Sequence, residues 1–93
     1  MGKRAKQIRN TKNHTTQVGK ILRENPALYH VTYHEIMWKG HEIGIITSVE
    51  VISRAVISGV RSVLVAKNLS RIFEEYGVYV DYRMLFEPPK KRG

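Results

Sequence analysis

Cysteine is absent from this chain of 93 residues, and so are long apolar stretches. Without cysteine there is no disulfide framework, no thiolate nucleophile and no cysteine-bound zinc. No stretch approaches the roughly 20 apolar residues that a membrane-spanning helix needs, so we expect no membrane association. Residues 1–23 are polar and cationic and lack the apolar centre of a secretory signal. These absences predict an intracellular protein, either cytoplasmic or associated with the nucleoid.

Acidic residues are missing from both ends of the chain. Residues 1–23 hold seven cations and no acid, residues 90–93 add three cations, and residues 24–89 hold six cations against eight acids. The formal net charge of +8 therefore comes from the two ends. The cations of these ends are Lys3, Arg4, Lys6, Arg9, Lys12, Lys20, Arg23, Lys90, Lys91 and Arg92. Because lysine and arginine release counterions when they contact phosphates, this pattern predicts binding to a polyanion, above all to nucleic acid.

The chain divides into one domain with a basic arm before it and a basic tail after it. Residues 1–14 show no apolar periodicity and are predicted to form a flexible basic arm. Residues 15–87 are long enough for a single small domain, which we expect to be of the α+β class. Pro88 and Pro89 end that domain, and residues 88–93 form a basic C-terminal tail.

The first predicted element is a short helix that begins at Thr15 or Thr16. Threonine is a favourable helix cap, and apolar residues follow at the spacing of one helix face. They are Val18, Ile21 and Leu22. The pair Asn25-Pro26 should end this helix, because a residue before proline disfavours the helical conformation.

Residues 29–47 carry a pattern that favours a β-hairpin. Two stretches rich in aromatic and β-branched residues flank Lys39-Gly40, which suits a two-residue turn. In that register Trp38 faces His41 and Ile36 faces Ile43. Both faces of the hairpin would then be partly apolar. We therefore expect a partner to cover one of them, and the sequence predicts a homodimer.

Residues 48–76 allow two interpretations. One is a single long helix that is capped by Thr47 or Ser48 and stopped by Gly77, with a seven-residue apolar repeat. The other has a break near Gly59, a strand over residues 60–66, and a second helix that Asn68 caps. The many β-branched residues favour the break. Residues 78–86 alternate in polarity and are predicted to form a C-terminal strand.

A helix-turn-helix motif is a further interpretation of this region. Counted from Val51, Ala55 takes the fifth position and Gly59 the ninth, where close helix approach and a turn are needed. Its apolar packing positions fall on Val60, Val65 and Leu69. Polar residues stand at other packing positions, namely Arg54, Ser58 and Asn68. The residues that would face DNA are Arg61, Ser62 and Lys67.

The stretch AVISGVRSVLVAKN, at residues 55–68, resembles the helix–glycine–strand segment of the kink-turn-binding ribosomal-protein family. EEYGVYV, at residues 74–80, resembles the helix-to-strand exit of that family. The family's RNA-contacting Gly-Thr-Asn-Glu motif has no counterpart here, where Ile46 to Glu50 reads ITSVE. The resemblance covers less than a third of the chain and implies RNA as a candidate ligand beside DNA.

Histidines, aromatic residues and carboxylates form no convincing catalytic or metal-binding pattern. His30 and His34 would lie about 13 Å apart on one strand, too far to share a zinc ion. Glu35 and Glu42 would flank the hairpin turn, but no third ligand for a nuclease metal is evident. No nucleotide fingerprint or nucleophile motif is present. The aromatic residues Tyr29, Tyr33, Trp38, Tyr76, Tyr79 and Tyr82 lie mostly on predicted strands, where packing is their commonest role.

The sequence therefore predicts a non-enzymatic nucleic-acid-binding protein without metal or cofactor, with DNA ahead of RNA. A transcriptional regulator or an architectural protein fits this description. On the helical region the expected contacts are Arg54, Arg61, Lys67 and Arg71. The alternative is a small inhibitor or adaptor that binds an acidic surface of a polymerase, a ribosome or another protein. The nearly neutral middle of the chain favours this second interpretation.

Overall fold

The computed structural model describes residues 16–87, and these residues are mostly helical. Its elements are α1 (Gln17–Glu24), α2 (Pro26–Tyr29), α3 (Tyr33–Glu42), α4 (Val49–Ser58), α5 (Val63–Glu74) and a 3-10 helix (Tyr82–Leu85). Within this range there is no strand, and the single β-type contact is an isolated parallel bridge between Val60 and Phe86. The predicted α+β class with a hairpin and a C-terminal strand is therefore wrong.

Hydroxyl side chains begin four of the helices. In each case the hydroxyl oxygen accepts a hydrogen bond from the backbone N–H three residues further on, which satisfies a donor that the helix leaves unpaired. The capping residues are Thr16, Thr32, Ser48 and Ser62. The predicted helix after Thr16 is confirmed, and it ends at Asn25 before proline as expected.

Helix α3 replaces the predicted hairpin. Thr32 and Glu35 form a reciprocal capping box, in which the Glu35 carboxylate accepts from the Thr32 N–H at 2.8 Å. This local signal starts a helix that runs through Lys39 and past the supposed turn. Trp38 and His41 do make an edge-on ring contact, with centroids 5.4 Å apart, but as neighbours on one helix and not as a cross-strand pair.

Gly40 serves the packing of two helices and not a turn. It is buried within α3, and a Cβ atom there would lie 2.9 Å from the Cδ1 atom of Ile72 on α5. Glycine therefore lets α3 approach α5 closely. Helix α3 also packs against α4, so it joins the two helices that follow it in the chain.

The predicted break near Gly59 is confirmed, but the predicted strand over residues 60–66 is wrong. Helix α4 starts at the Ser48 cap and ends at Gly59, and Ser62, not Asn68, caps α5. The strand preference of the β-branched residues at the start of α5 is outweighed by the burial of apolar residues further along the helix. The buried residues recur at helical spacing and are Ala66, Leu69, Ile72 and Phe73.

Residues 78–86 return along α5 without forming a strand. The Ser70 hydroxyl donates to the Val80 carbonyl oxygen at 2.8 Å, and Leu85 in the 3-10 helix is fully buried. These contacts attach the end of the described chain to α5, and Phe86 then reaches Val60. The core enclosed by all these elements includes the fully buried side chains Val18, Leu28, Ile36, Ile52, Val56, Leu69, Ile72, Phe73 and Leu85.

The backbone conformation of Gly59 predicts a measurable cost of substitution. Its φ of 95° and ψ of 162° lie in a region that is nearly restricted to glycine, and a Cβ atom would meet the Glu87 side chain at 2.3 Å. We expect Gly59→Ala to lower the free energy of unfolding by about 2 kcal/mol or more. Urea denaturation monitored by circular dichroism measures this change in the free energy of unfolding.

Gly44→Ala is the matched control for that substitution. Gly44 also has a positive φ, of 83°, but an added Cβ atom would meet nothing within 4 Å. We expect it to cost only about 1 kcal/mol, the ordinary penalty of a left-handed conformation. Equal losses in the two variants would show that neither the backbone conformation of Gly59 nor its contact with Glu87 adds to the ordinary cost of a positive φ.

Candidate nucleic-acid interface

The charges of the described chain are segregated. Residues 51–73, here called the basic segment, contain four cations and no acid. These cations are Arg54, Arg61, Lys67 and Arg71, and all four are exposed. The remaining described residues hold four cations and eight acids. The domain is neutral as a whole, yet α4 and α5 carry a local excess of positive charge.

Two of the cations outside the basic segment are paired with nearby acids. Lys39 lies 3.2 Å from Glu42 on α3, and Arg83 lies 2.7 Å from Asp81 beside the 3-10 helix. Among residues 16–87, no carboxylate forms an ion pair of 4.0 Å or less with a cation of the basic segment. The positive charge of that segment is therefore available to an external anion.

The outer face of α5 carries Lys67 and Arg71 one turn apart. The Lys67 ammonium lies 5.2 Å from the centre of the Tyr82 ring, which is a cation–π contact with the 3-10 helix. Leu64, one turn earlier, is exposed over 68% of its surface. Both cations line a depression of about 470 Å³ together with Leu64 and Tyr82, and no acid is among its lining residues.

A groove of about 460 Å³ lies between α4, the Gly59 turn and the start of α5. Its apolar walls are Val51, Ala55, Val60 and Val65. Its polar lining residues are Arg54, Ser58, Arg61 and Ser62. Two arginines of the basic segment thus border the same concave surface, and no acid is among its lining residues. The groove combines positive charge with apolar contact area.

The groove explains the polar residues that interrupted the helix-turn-helix pattern. The helix–turn–helix boundaries agree with the count from Val51, since α4 ends at Ser58 and Gly59 makes the turn. A helix-turn-helix fills the angle between its two helices with apolar residues. Here Arg54 and Ser58 are exposed and line an open groove at that angle. The helix–glycine–strand segment implied by the ribosomal-protein resemblance is wrong, because a helix follows the glycine.

Both ends of the described chain lie beside the Gly59 turn. The Thr16 hydroxyl donates to the Val56 carbonyl oxygen on α4. The backbone N–H of Gln17 donates to the Glu87 carboxylate at 2.7 Å, and the Glu87 side chain packs on Gly59. The predicted basic arm and tail, residues 1–14 and 88–93, are outside the described residues. They connect to the domain at these two points, next to the groove.

The other predicted contact residues are not gathered at the groove. Arg23 on α1 borders a separate surface depression with Pro26, Tyr29 and His30. Lys20 is half-buried on the same helix and does not line the groove. The contacts predicted at Lys3, Arg4, Lys6, Arg9, Lys12, Lys90, Lys91 and Arg92 fall outside the part of the chain that the structure describes.

Within residues 16–87, no group of three or more histidine, aspartate or glutamate side chains is placed to hold a metal ion. His41 instead has its Nε2 atom 3.2 Å from the Thr47 carbonyl oxygen. None of the described helices has both the length and the apolar character needed to cross a bilayer.

Comparison with protein-family models, with curated proteins and with solved structures finds no match to this chain.

The pairing of Asp81 with Arg83 predicts an unusual titration. Hydrogen bonds from the Arg83 side chain, and then from its backbone N–H, lower the pKa of Asp81 from 3.8 to about 2. The pair therefore stabilises the fold above pH 3.8, and this contribution is lost as the pH falls through about 2. Carbon-detected NMR of the Asp81 carboxyl group should show the low pKa, and Arg83→Gln should bring it back towards 3.8. An unchanged pKa in that variant would exclude Arg83 as the cause.

Proposed function

We propose that this protein is a non-enzymatic nucleic-acid-binding protein, with DNA ahead of RNA as its ligand. The observation that supports this most is the segregation of charge in a domain that is neutral overall. Four exposed cations with no acid between them in the sequence lie on α4, the turn and α5. Such a surface suits a phosphodiester backbone, which presents closely spaced negative charges along its length.

The positions of the two chain ends support the same function. The arm contributes five further cations, and the tail contributes three. Both segments connect to the domain beside the Gly59 turn, at Thr16 and Glu87. A strand bound near the groove would therefore lie within reach of both segments. Their phosphate contacts would add to those of α4 and α5 through a high effective concentration.

The second candidate is an inhibitor or adaptor that binds an acidic protein surface. It is favoured by the equal numbers of cations and acids among residues 16–87. A carboxylate-rich partner would meet the same four cations. Nucleic acid accounts better for the two acid-free, cation-rich ends, because each additional phosphate contact releases counterions from a polymer of high charge density.

Two further expectations belong to this proposal. We place the protein inside the cell, where nucleic acid is found. The sequence predicts a homodimer because both faces of the expected β-hairpin are partly apolar. The described residues contain no sheet, so these two faces do not exist. A dimer stays a prediction without that support.

Salt-dependent binding tests the proposed function. Fluorescence anisotropy with duplex DNA, single-stranded DNA and RNA at several salt concentrations should give a steep loss of affinity as salt rises. Replacing Lys3, Arg4, Lys6, Arg9 and Lys12 by glutamine should reduce the slope of log K against log salt for duplex DNA by up to about 4.5. Lys39→Gln, whose cation is already paired with Glu42, should leave the slope nearly unchanged.

Polyglutamate is the probe that separates the two candidate functions. If the protein binds polyglutamate as tightly as it binds nucleic acid at equal salt, the result supports the adaptor function. Absence of binding to all three nucleic acids at low salt would refute the proposed function.

A further inference from the structure

We propose that the groove between α4 and α5 holds one single strand of nucleic acid, with Arg54 and Arg61 on its phosphates. This inference rests on the proposed function and makes it more specific. It names the groove, and not the outer face of α5, as the main contact surface. It also names a single strand, and not a duplex major groove, as the preferred ligand.

The groove has the chemical character that a single strand requires. Proteins that bind single strands combine a cationic path for the backbone with side chains, usually aromatic, against which the bases lie. In this groove aliphatic side chains take that place. Arg54 and Arg61 supply the positive charge on the lining of the groove, and valine and alanine side chains supply its apolar walls. Its volume of about 460 Å³ exceeds that of a site for an isolated phosphate ion, so a base and sugar can enter with the phosphate.

Charge complementarity identifies the occupant as an anion. The lining residues include two arginines and no acid. The basic ends of this same chain connect nearby, but their cations would meet Arg54 and Arg61 with like charge. The same repulsion disfavours the basic arm of a second copy. An anionic ligand with apolar faces satisfies both parts of the surface, and an unpaired nucleotide strand has this character.

A duplex fits the geometry less well. Insertion of α5 into a major groove would present its first turn to polar base edges and phosphates. That turn begins with Val63 and Leu64, which are exposed over 52% and 68% of their surfaces. Lys67, one turn further, lies over the Tyr82 ring. In duplex DNA the faces of the bases are stacked inside, so the apolar walls of the groove would reach only thymine methyl groups and not the base faces.

Two double variants with the same charge change distinguish the groove from the outer face of α5. Arg54→Gln with Arg61→Gln removes the cations of the groove, and Lys67→Gln with Arg71→Gln removes those of the outer face. Binding to a 12-nucleotide oligothymidine should weaken at least tenfold in the first variant and by a clearly smaller factor in the second, which keeps both cations of the groove. The salt slope of the first variant should fall by about 1.4, which corresponds to two phosphate contacts on a single strand.

Filling the groove provides a second measurement that does not alter charge. Ser58 is exposed and lines the groove, so Ser58→Phe should obstruct it and weaken binding of the oligothymidine at least fivefold. Ile57 is exposed next to it but is not a lining residue, so Ile57→Phe should bind like the original chain. Thermal unfolding by circular dichroism checks that every variant is folded. If Ser58→Phe is unfolded, the two charge variants decide the question.

The outcomes separate this inference from the proposed function. The original chain should bind oligothymidine more tightly than a duplex of the same length. A preference for the duplex, or a greater loss in the Lys67 and Arg71 variant, would overturn the groove while leaving nucleic-acid binding intact. Unchanged binding in a folded Ser58→Phe variant would overturn it as well. If the original chain bound no nucleic acid at all, both proposals would fail.

Discussion

The conformation of Gly59 is the constraint on which the rest of the interface depends. Its positive φ ends α4 and sends the chain into α5 at an angle, which creates the groove. The missing side chain leaves space for Glu87, whose carboxylate accepts from the first N–H of α1. The parallel bridge between Val60 and Phe86 lies directly beside this contact. Gly59 thus shapes the groove and lies where the two ends of the described chain, residues 16–17 and 87, come together.

Local capping signals predict two of the four capped helix starts. The sequence offers Thr15 or Thr16 for α1 and Thr47 or Ser48 for α4, and the structure has Thr16 and Ser48. It also offers Asn68 as a cap, whereas α5 begins after Ser62. The capping box of Thr32 and Glu35 was present in the sequence but was outweighed by the β-branched and aromatic residues around Lys39-Gly40. A glycine in a strand-like pattern suggested a turn, whereas Gly40 allows Ile72 to approach the helix backbone. That role depends on a contact between residues 32 positions apart, which sequence pattern does not show.

The same limitation applies to α5. Val63 and Val65 suggested a strand, but Ala66, Leu69 and Phe73 recur at helical spacing and are buried against the rest of the domain. Tertiary burial outweighs the modest β preference of valine, because helix propensities differ by less than about 1 kcal/mol between ordinary residues. The charge pattern, by contrast, was visible in the sequence. No acid occurs between Glu50 and Glu74, and this signal was hidden when charge was summed over residues 24–89.

A neutral domain with a basic face and basic ends can attract a ligand over a long range and select it at contact. In the proposed function, the cations of the arm and tail would attract a polyanion over about one Debye length, roughly 8–10 Å at ordinary salt, without selecting a particular conformation. The groove would act only at contact, where its apolar walls would favour a strand whose bases are unstacked. Because acids outnumber cations two to one in the described chain outside the basic segment, an anionic polymer would be repelled from the other surfaces. Both ends of the described chain lie beside Gly59, so the arm and tail would direct this long-range attraction to the place where contact can select the ligand.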